Sequence, residues 1–493
     1  MYYIKMDKEK EKVLGKTNTP RRTAAAELRL FLGGKTENRL RTVLQILSKQ
    51  YREVEIRMSK FFKRSALGAK VPHNKHTSHL ETVAMPLPSK IVLSMGQHIG
   101  APAAPAVAKG DQVYVGTVVG KAGGFVSMDI HSGVSGIVDG ITTITAPNGA
   151  PQTAVVIIPD GKQTVDPDIK PPVVTDLKSL QDAVRASGLV GLGGAGFPAA
   201  VKLSPKNLDE IDMLVINGAE CEPYITSDNR CMQEDTDYII KGIQTIMKYL
   251  DIPKCVIGIE ANKPDDIKKL SEVTKDMPIE VKELPCTYPQ GAEKVLIETC
   301  TGREVPFPGL PSDVGVIVMN VTSVAFIAKY LETGMPLVTK RLTVDGDIVK
   351  NPGNVEVIIG TPIQELLDFC GGLTDEPGKI LYGGPMMGTC VADLSQPVLK
   401  NNNAILALSQ KAAQTPKATN CIHCGRCTNA CPLGLSAKEI ARAYEAKNVE
   451  LLYELNGDLC MSCGTCSFVC PAKRPLAQTL ALAKIMMKNG GKK

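Results

Sequence analysis

The sequence predicts a multidomain α/β protein: a small sandwich of hairpins, an α/β core, a second β-rich segment and a helical, cysteine-rich end. Three observations carry that prediction. A chain of 493 residues is too long for one hydrophobic core and calls for three or four domains. Glycine-punctuated β-type runs give way, beyond about residue 166, to strand patterns alternating with helix patterns. From Cys421 onward a single cysteine pattern occurs twice.

Composition narrows the function classes. Tryptophan is absent and aromatic residues make up 4% of the chain, so stacking surfaces for nucleic acid gain no support. The longest apolar run, 314–328, is broken by Asn320, Thr322 and Ser323 and falls short of the about 18 residues a membrane span needs. The net charge of +6 hides an asymmetry, because the first 75 residues carry 19 basic against 7 acidic side chains.

Those basic residues define the first segment, an N-terminal extension over 1–66. Its apolar positions Leu40, Val43, Leu44, Leu47, Tyr51, Val54, Met58 and Phe61 recur at three- and four-residue steps between arginines and lysines. That spacing predicts a basic amphipathic helix over 39–64, suited to an anionic membrane surface, to a partner, or to solvent alone. Met58 would also serve as a start, leaving 1–57 as an upstream extension.

Residues 67–165 read as the hairpin sandwich, similar to lipoyl and biotinyl domains. A carrier lysine would stand at a hairpin tip, and 125–130 has none. In 166–335, Thr175 or Asp176 caps a helix over 177–186 that Gly188 closes. Next comes Gly191, Leu192, Gly193, Gly194, Ala195, Gly196, Phe197, Pro198, with Lys202 close behind. This contains GxGxxG, but a dinucleotide fingerprint follows a strand, and here a helix precedes it. Glycines there let backbone amides crowd a phosphate or a flavin edge; a flexible surface turn is the alternative. A buried strand over 211–216 then delivers Asn217, Glu220, Cys221 and Glu222 into a loop, where the two carboxylates face one site or simply solvent. Strands over 255–259 and 315–320 and helices over 264–273 and 324–331 follow, with Tyr288, Gly291 and Glu293 between the two units. Residues 336–400 return to β texture with one helix, 363–369, and 401–418 reads as a linker.

The last domain, 401–493, carries the chemistry. Cys421, Cys424, Cys427 and Cys431 precede Pro432; Cys460, Cys463, Cys466 and Cys470 precede Pro471. Each copy is CxxCxxCxxxCP. Three cysteines so spaced wrap one turn of backbone around a cubane, and in two-cluster ferredoxins the fourth binds the other cluster. The expected sets are Cys421, Cys424, Cys427 and Cys470 on one [4Fe-4S] centre, and Cys460, Cys463, Cys466 and Cys431 on the second. Structural zinc takes four ligands as CxxC pairs and has no use for a third cysteine or the CP ending. The other seven cysteines (221, 231, 255, 286, 300, 370, 390) read as small buried residues. The six histidines form no ligand cluster, and His423, inside the first cysteine loop, reads as a modulator.

The stretches around Gly191–Pro198 with Lys202, Asn217-x-x-Glu220-x-Glu222, and Tyr288-x-x-Gly291-x-Glu293 resemble the flavin and NADH motifs of the NADH-oxidising subunit of respiratory complex I. Together with the double cysteine motif and the hairpin domain, the chain from about residue 67 onward is similar to the RnfC family, a component of Rnf electron-transport complexes. The resemblance implies FMN on the glycine loop (Gly191, Gly193, Gly194, Gly196, Phe197), with Lys202 and Asn217 at its phosphate and ring ends. Glu220, Glu222, Tyr288, Gly291 and Glu293 would lie near flavin or NAD(H), and 336–400 would be a β-grasp domain. Leu192 replaces the arginine usual in the complex I pattern, so phosphate charge would fall to Lys202. The family implies ferredoxin-like and membrane subunits as partners, ion pumping by the complex, and a peripheral place on the cytoplasmic face of the membrane. No residue needs to act as nucleophile or general base: nicotinamide gives two electrons, a cluster takes one, and a flavin converts between them. The alternatives are a soluble cobalamin-reductase relative and an electron relay without an active flavin site.

Overall fold

The computed structural model describes residues 68–490. The expected basic helix and the rest of the 1–66 extension lie outside them.

In the front domain, β1 (Ile91–Ser94), β2 (Gly136–Thr145) and β3 (Pro151–Pro159) join Gln112–Val113 in an antiparallel sheet. Three short strands, Ala104–Pro105, Val118–Lys121 and Ile130–His131, form the other sheet. Leu93, Val119, Ile130, Val138 and Val155 are fully buried in the core this domain shares with its neighbour. Helix α1 (Leu177–Ala186) starts as the capping pattern requires: the Asp176 carboxylate accepts from Ser179 N–H at 2.8 Å. Gly188, at φ +71°, supplies the left-handed turn that ends it.

The central domain is a parallel sheet of β4 (Met213–Asn217), β5 (Lys254–Glu260), β6 (Ile279–Leu284) and β7 (Val316–Asn320). Spatial order is β6-β5-β4-β7, so the chain reverses its direction of travel between β4 and β7. That gap at the carboxyl ends of two parallel strands is where open α/β sheets bind ligands. Helices α2 (Ser227–Glu234), α3 (Thr236–Leu250), α4 (Pro264–Thr274), α5 (Glu293–Thr301) and α6 (Val321–Thr333) cover the sheet.

The third domain corrects the expected boundaries. Its six-stranded sheet runs from Thr82–Ala84 through β9 (Gly353–Ile358), β8 (Thr339–Asp345), β11 (Ala404–Ser409) and β10 (Pro377–Tyr382) to Thr389–Cys390, with α7 (Ile363–Phe369) alongside. The expected linker 401–418 therefore opens with an interior strand, β11, buried from Ala404 to Leu408. Its continuous apolar run is what a strand covered on both faces shows. The opposite edge comes from residues the hairpin domain had claimed. Of the seven cysteines outside the repeat, Cys231, Cys255, Cys300 and Cys370 are buried as expected, but Cys390 is exposed on the edge strand.

The end domain is an internal repeat. Each cysteine loop leads into one turn of helix (Arg426–Asn429; Thr465–Phe468) and then a longer helix, α8 (Ala437–Glu445) or α9 (Leu476–Gly490). Equivalent residues share the left-handed conformation: His423 and Ser462, Gly425 and Gly464. Ile440, Ala441, Leu452, Leu480 and Ala483 form the core between the copies. Among the described residues no helix is long and apolar enough to cross a membrane.

Candidate functional site

The glycine stretch is a closed loop. Val190 and Pro198 form a bridge at its base, and Gly191 N–H donates to Phe197 C=O at 2.8 Å. Four neighbours hold it. Leu192 N–H donates to Ser323 Oγ at 3.0 Å and Ile99 N–H to Gly196 C=O at 3.0 Å. Lys340 Nζ donates to Leu192 C=O at 3.1 Å and Asn401 Nδ2 to Gly194 C=O at 3.0 Å. A loop so tied is no flexible surface turn. Gly194 (φ +114°) and Gly196 (φ +66°) adopt backbone that other residues resist, and a Cβ on Gly193 would sit 3.0 Å from the Asn320 amide. Beside Gly194 there is open space.

Asn320 ends β7 directly opposite Asn217, the last residue of β4. The loop thus rests on the β4/β7 gap, the position a dinucleotide loop takes in a Rossmann half, although here it arrives from outside the sheet. Leu192 is 3% exposed and packs into the core. It offers nothing to a phosphate.

Around the gap, Asn217 Nδ2 donates to Gly291 C=O at 2.9 Å and Gly291 N–H to Cys221 Sγ at 3.3 Å. Lys202 Nζ pairs with Glu293 at 2.8 Å and with Val318 C=O at 3.1 Å, so it meets a carboxylate rather than standing free. Asn320 Nδ2 and Thr322 Oγ1 both donate to the Asp228 carboxylate, at 2.8 and 2.7 Å. These polar residues, with Lys340, are ones sequence reasoning missed. The asparagine that ends a strand and caps α6 was the available signal.

Glu220 and Glu222 part company. Glu220, at φ +47°, caps α2, accepting from Asp228 N–H at 2.6 Å and Asn229 N–H at 3.3 Å. Its carbonyl and those of Glu222 and Ile225 accept from Lys75 Nζ at 2.7, 2.9 and 2.5 Å. Burial pushes Glu220 up and Lys75 down, toward their neutral forms, and their mutual attraction opposes both shifts. Glu222 points the other way. It accepts from Met386 N–H at 3.0 Å and Met387 N–H at 2.8 Å, fastening the 383–388 turn of the third domain. Burial raises it, and those amides pull it back.

Tyr288 connects this region to the end domain. Its hydroxyl lies 2.7 Å from Cys463 C=O and 3.3 Å from Glu222, so its hydrogen goes to the carbonyl. Tyr288, Cys463, Ala69 and Val71 form one buried cluster, with Cys221 and Met386 packed on it. The turn fits closely, since a Cβ on Gly464 would meet Met386 C=O at 2.7 Å.

The cysteines fall into two sets. Cys421, Cys424, Cys427 and Cys470 line a cavity of about 330 Å³. Cys460, Cys463, Cys466 and Cys431 line a second, tighter one. Each set draws its fourth member from the other repeat. In both loops the third residue's N–H donates to the first cysteine, His423 to Cys421 Sγ and Ser462 to Cys460 Sγ, each at 3.4 Å. His423 acts through its backbone, and its residue is exposed. Among the described residues no three His, Cys, Asp or Glu side chains converge as on a single ion. Four thiols spaced around a cavity suit a larger body such as a cubane.

Comparison with known proteins agrees with this layout. Four family descriptions match in order: the RnfC barrel sandwich hybrid domain over 63–162, the Nuo51 FMN-binding domain over 184–329, an SLBB domain over 341–389 and a 4Fe-4S dicluster domain over 417–474. This is the make-up of an iron-sulfur flavoprotein. The RnfC-type member of the Na(+)-translocating ferredoxin:NAD(+) oxidoreductase complex of Acetobacterium woodii is 43% identical over 73% of this chain and 82% of its own length. The counterpart in the proton-translocating complex of Clostridium ljungdahlii is 42% identical over 73% and 80%. The chain belongs to the RnfC family of ion-translocating oxidoreductase complexes. A crystal structure of an NAD+-reducing [NiFe]-hydrogenase aligns with 63% of this chain and 61% of its own, at 17% identity and a TM-score of 0.45.

Proposed function

We propose that this chain is the part of a membrane-bound, ion-translocating complex through which electrons pass between NAD(H), FMN and two [4Fe-4S] clusters. The observation that carries it is the unbroken run of contacts from the glycine loop to a cysteine loop: Gly193 on Asn320, Asn320 beside Asn217, Asn217 on Gly291, Gly291 on Cys221, and Cys221 in the cluster that joins Tyr288 to Cys463.

The residues suit the groups. Gly193, Gly194 and Gly196 leave the space that side chains would fill, with Gly191 and Phe197 closing the loop, so this cradle would hold the flavin through backbone. Asn217 and Glu293, with Lys202, stand at the carboxyl ends of β4 and β7, where flavin and nicotinamide would approach. A bound flavin exchanges electrons singly or in pairs and so joins the two-electron nicotinamide to one-electron clusters. Glu220, Glu222 and Tyr288 serve differently from what the resemblance implied: the first holds α2, the other two hold the end domain in place. Phosphate charge would be met by backbone amides and by the ends of α2 and α6 rather than by Leu192 or Lys202. The cluster ligands are the two cysteine sets as they line the cavities.

On this reading the domains run 68–165, 166–335, 336–409 as a β-grasp unit, and 410–490. The chain binds membrane and ferredoxin-like subunits and lies peripherally on the cytoplasmic face. The test is direct. Purified full-length protein with reconstituted clusters should release FMN in acid, and its cluster absorbance should bleach on adding NADH. No flavin together with no bleaching overturns the proposal in favour of a bare relay.

A further inference from the structure

The two cysteine loops are copies in sequence but not in surroundings. The loop holding Cys463 is covered by Tyr288 and Met386, and both Cys460 and Cys463 are buried. The loop holding Cys424 is open: Cys424 is exposed, Cys421 half-buried, and Ile422 between them is 65% exposed. Charge follows the same division. Residues 421–445 and 470–474 hold five basic side chains, Arg426, Lys438, Arg442, Lys473 and Arg474, against Glu439 and Glu445. Residues 446–469 hold one lysine against three acids. Lys438, Arg442 and Arg474 line the open cavity itself, and Arg426 and Lys473 are exposed at its rim. An apolar tip within a basic ring, above a redox centre, is the complement of an acidic protein surface.

We infer that the Cys421–Cys424 loop is the port by which electrons cross between this chain and another protein, and that it docks an acidic one-electron carrier, its carboxylates on the basic rim and an apolar contact on Ile422. The inference rests on the reading of the chain as an electron-transfer protein and adds the route's polarity: the covered loop faces the flavin cradle, the open one the partner. One electron crosses per encounter, one side is oxidised by one and the other reduced by one, and no covalent bond changes.

The test is equilibrium binding of a small two-cluster ferredoxin of net negative charge to the oxidised, cofactor-loaded full chain. The parent should bind, more weakly as salt rises. R426E/R442E should bind about tenfold or more weakly at low salt, with a flatter salt dependence, and keep the electron paramagnetic resonance (EPR) spectra of both reduced clusters. If those spectra change, R442E alone replaces the double variant. Ile422→Ala should weaken binding at every salt concentration. Equal affinity in parent and variants, or no binding by the parent, overturns the inference. So does a variant that loses only its affinity for phosphatidylglycerol vesicles, which would make the rim a lipid site. Binding needs no NADH, so a chain that NADH fails to reduce would sink the proposed function and leave this measurement standing.

Discussion

Tyr288 sits where the nucleotide-side residues meet the end domain, and a single hydroxyl makes the join. Removing it leaves Cys463 C=O, a buried acceptor, without its donor, which costs about 1–3 kcal/mol. Tyr288→Phe should therefore lower the denaturation midpoint modestly. It should also shift the EPR signal of one cluster and leave the other unchanged, because a hydrogen bond to a ligating loop tunes only the cluster that loop holds. An unaltered pair of signals would show that Tyr288 packs but does not tune. At this scale the sequence was legible where spacing is the chemistry: both cysteine sets line cavities as the CxxCxxCxxxCP pattern implies. It was opaque where partners are remote. Nothing near Glu222 announces that its carboxylate will accept from amides 164 and 165 residues away, and the Lys340 contact with Leu192 spans 148 residues.

Helices and strands were read best where one element's own residues decide it. The α1 cap, Pro264 at the start of α4 and the bounds of α7 follow from local rules. Misplacing β11 in a linker came from weighing the polar residues on either side above five apolar ones. Glycines inside helices hide a further kind of information. Gly242 lies mid-way along α3, and a Cβ there would come 2.2 Å from Val324 C=O on α6. Gly242→Ala should force these helices apart, at a cost of about 1–3 kcal/mol despite alanine's better helix propensity. Chemical denaturation measures this, and a stabilised variant would refute the close approach. The joint between the hairpin sheet and α1 adds a pH dependence. His131 is buried with its Nδ1 unpartnered, and burial first, then Lys400, hold its pKa down to about 3. The unfolded chain takes up that proton near pH 6.5 and the folded one does not. Stability is thus full above pH 6.5 and lost as pH falls, by about 2 kcal/mol at pH 5. His131→Gln should flatten the melting temperature between pH 7 and 5; an unchanged slope would assign it elsewhere.

Across the whole molecule, three domains meet at one carboxylate. Glu222 leaves the central sheet, accepts from the Met386 and Met387 amides of the third domain, and lies 3.3 Å from the Tyr288 hydroxyl that holds the end domain. The 383–388 turn it fastens is in turn pressed on Gly464 of the covered cysteine loop. The third domain is thus a clamp that fixes the distance between the flavin cradle and the nearer cluster, a role that no motif within 336–409 announces. Glu222→Ala would release both amides and let the turn drift while leaving the glycine loop, Asn217 and Lys202 untouched. Flavin reduction by NADH should then proceed at the parent's rate in a stopped-flow experiment. Cluster bleaching should lag by about tenfold or more, as small misplacements between reacting centres are costly. Equal lag in both phases would place Glu222 at the nucleotide itself, and no lag in either would mean that Tyr288 and the surrounding apolar cluster hold the domains together without it.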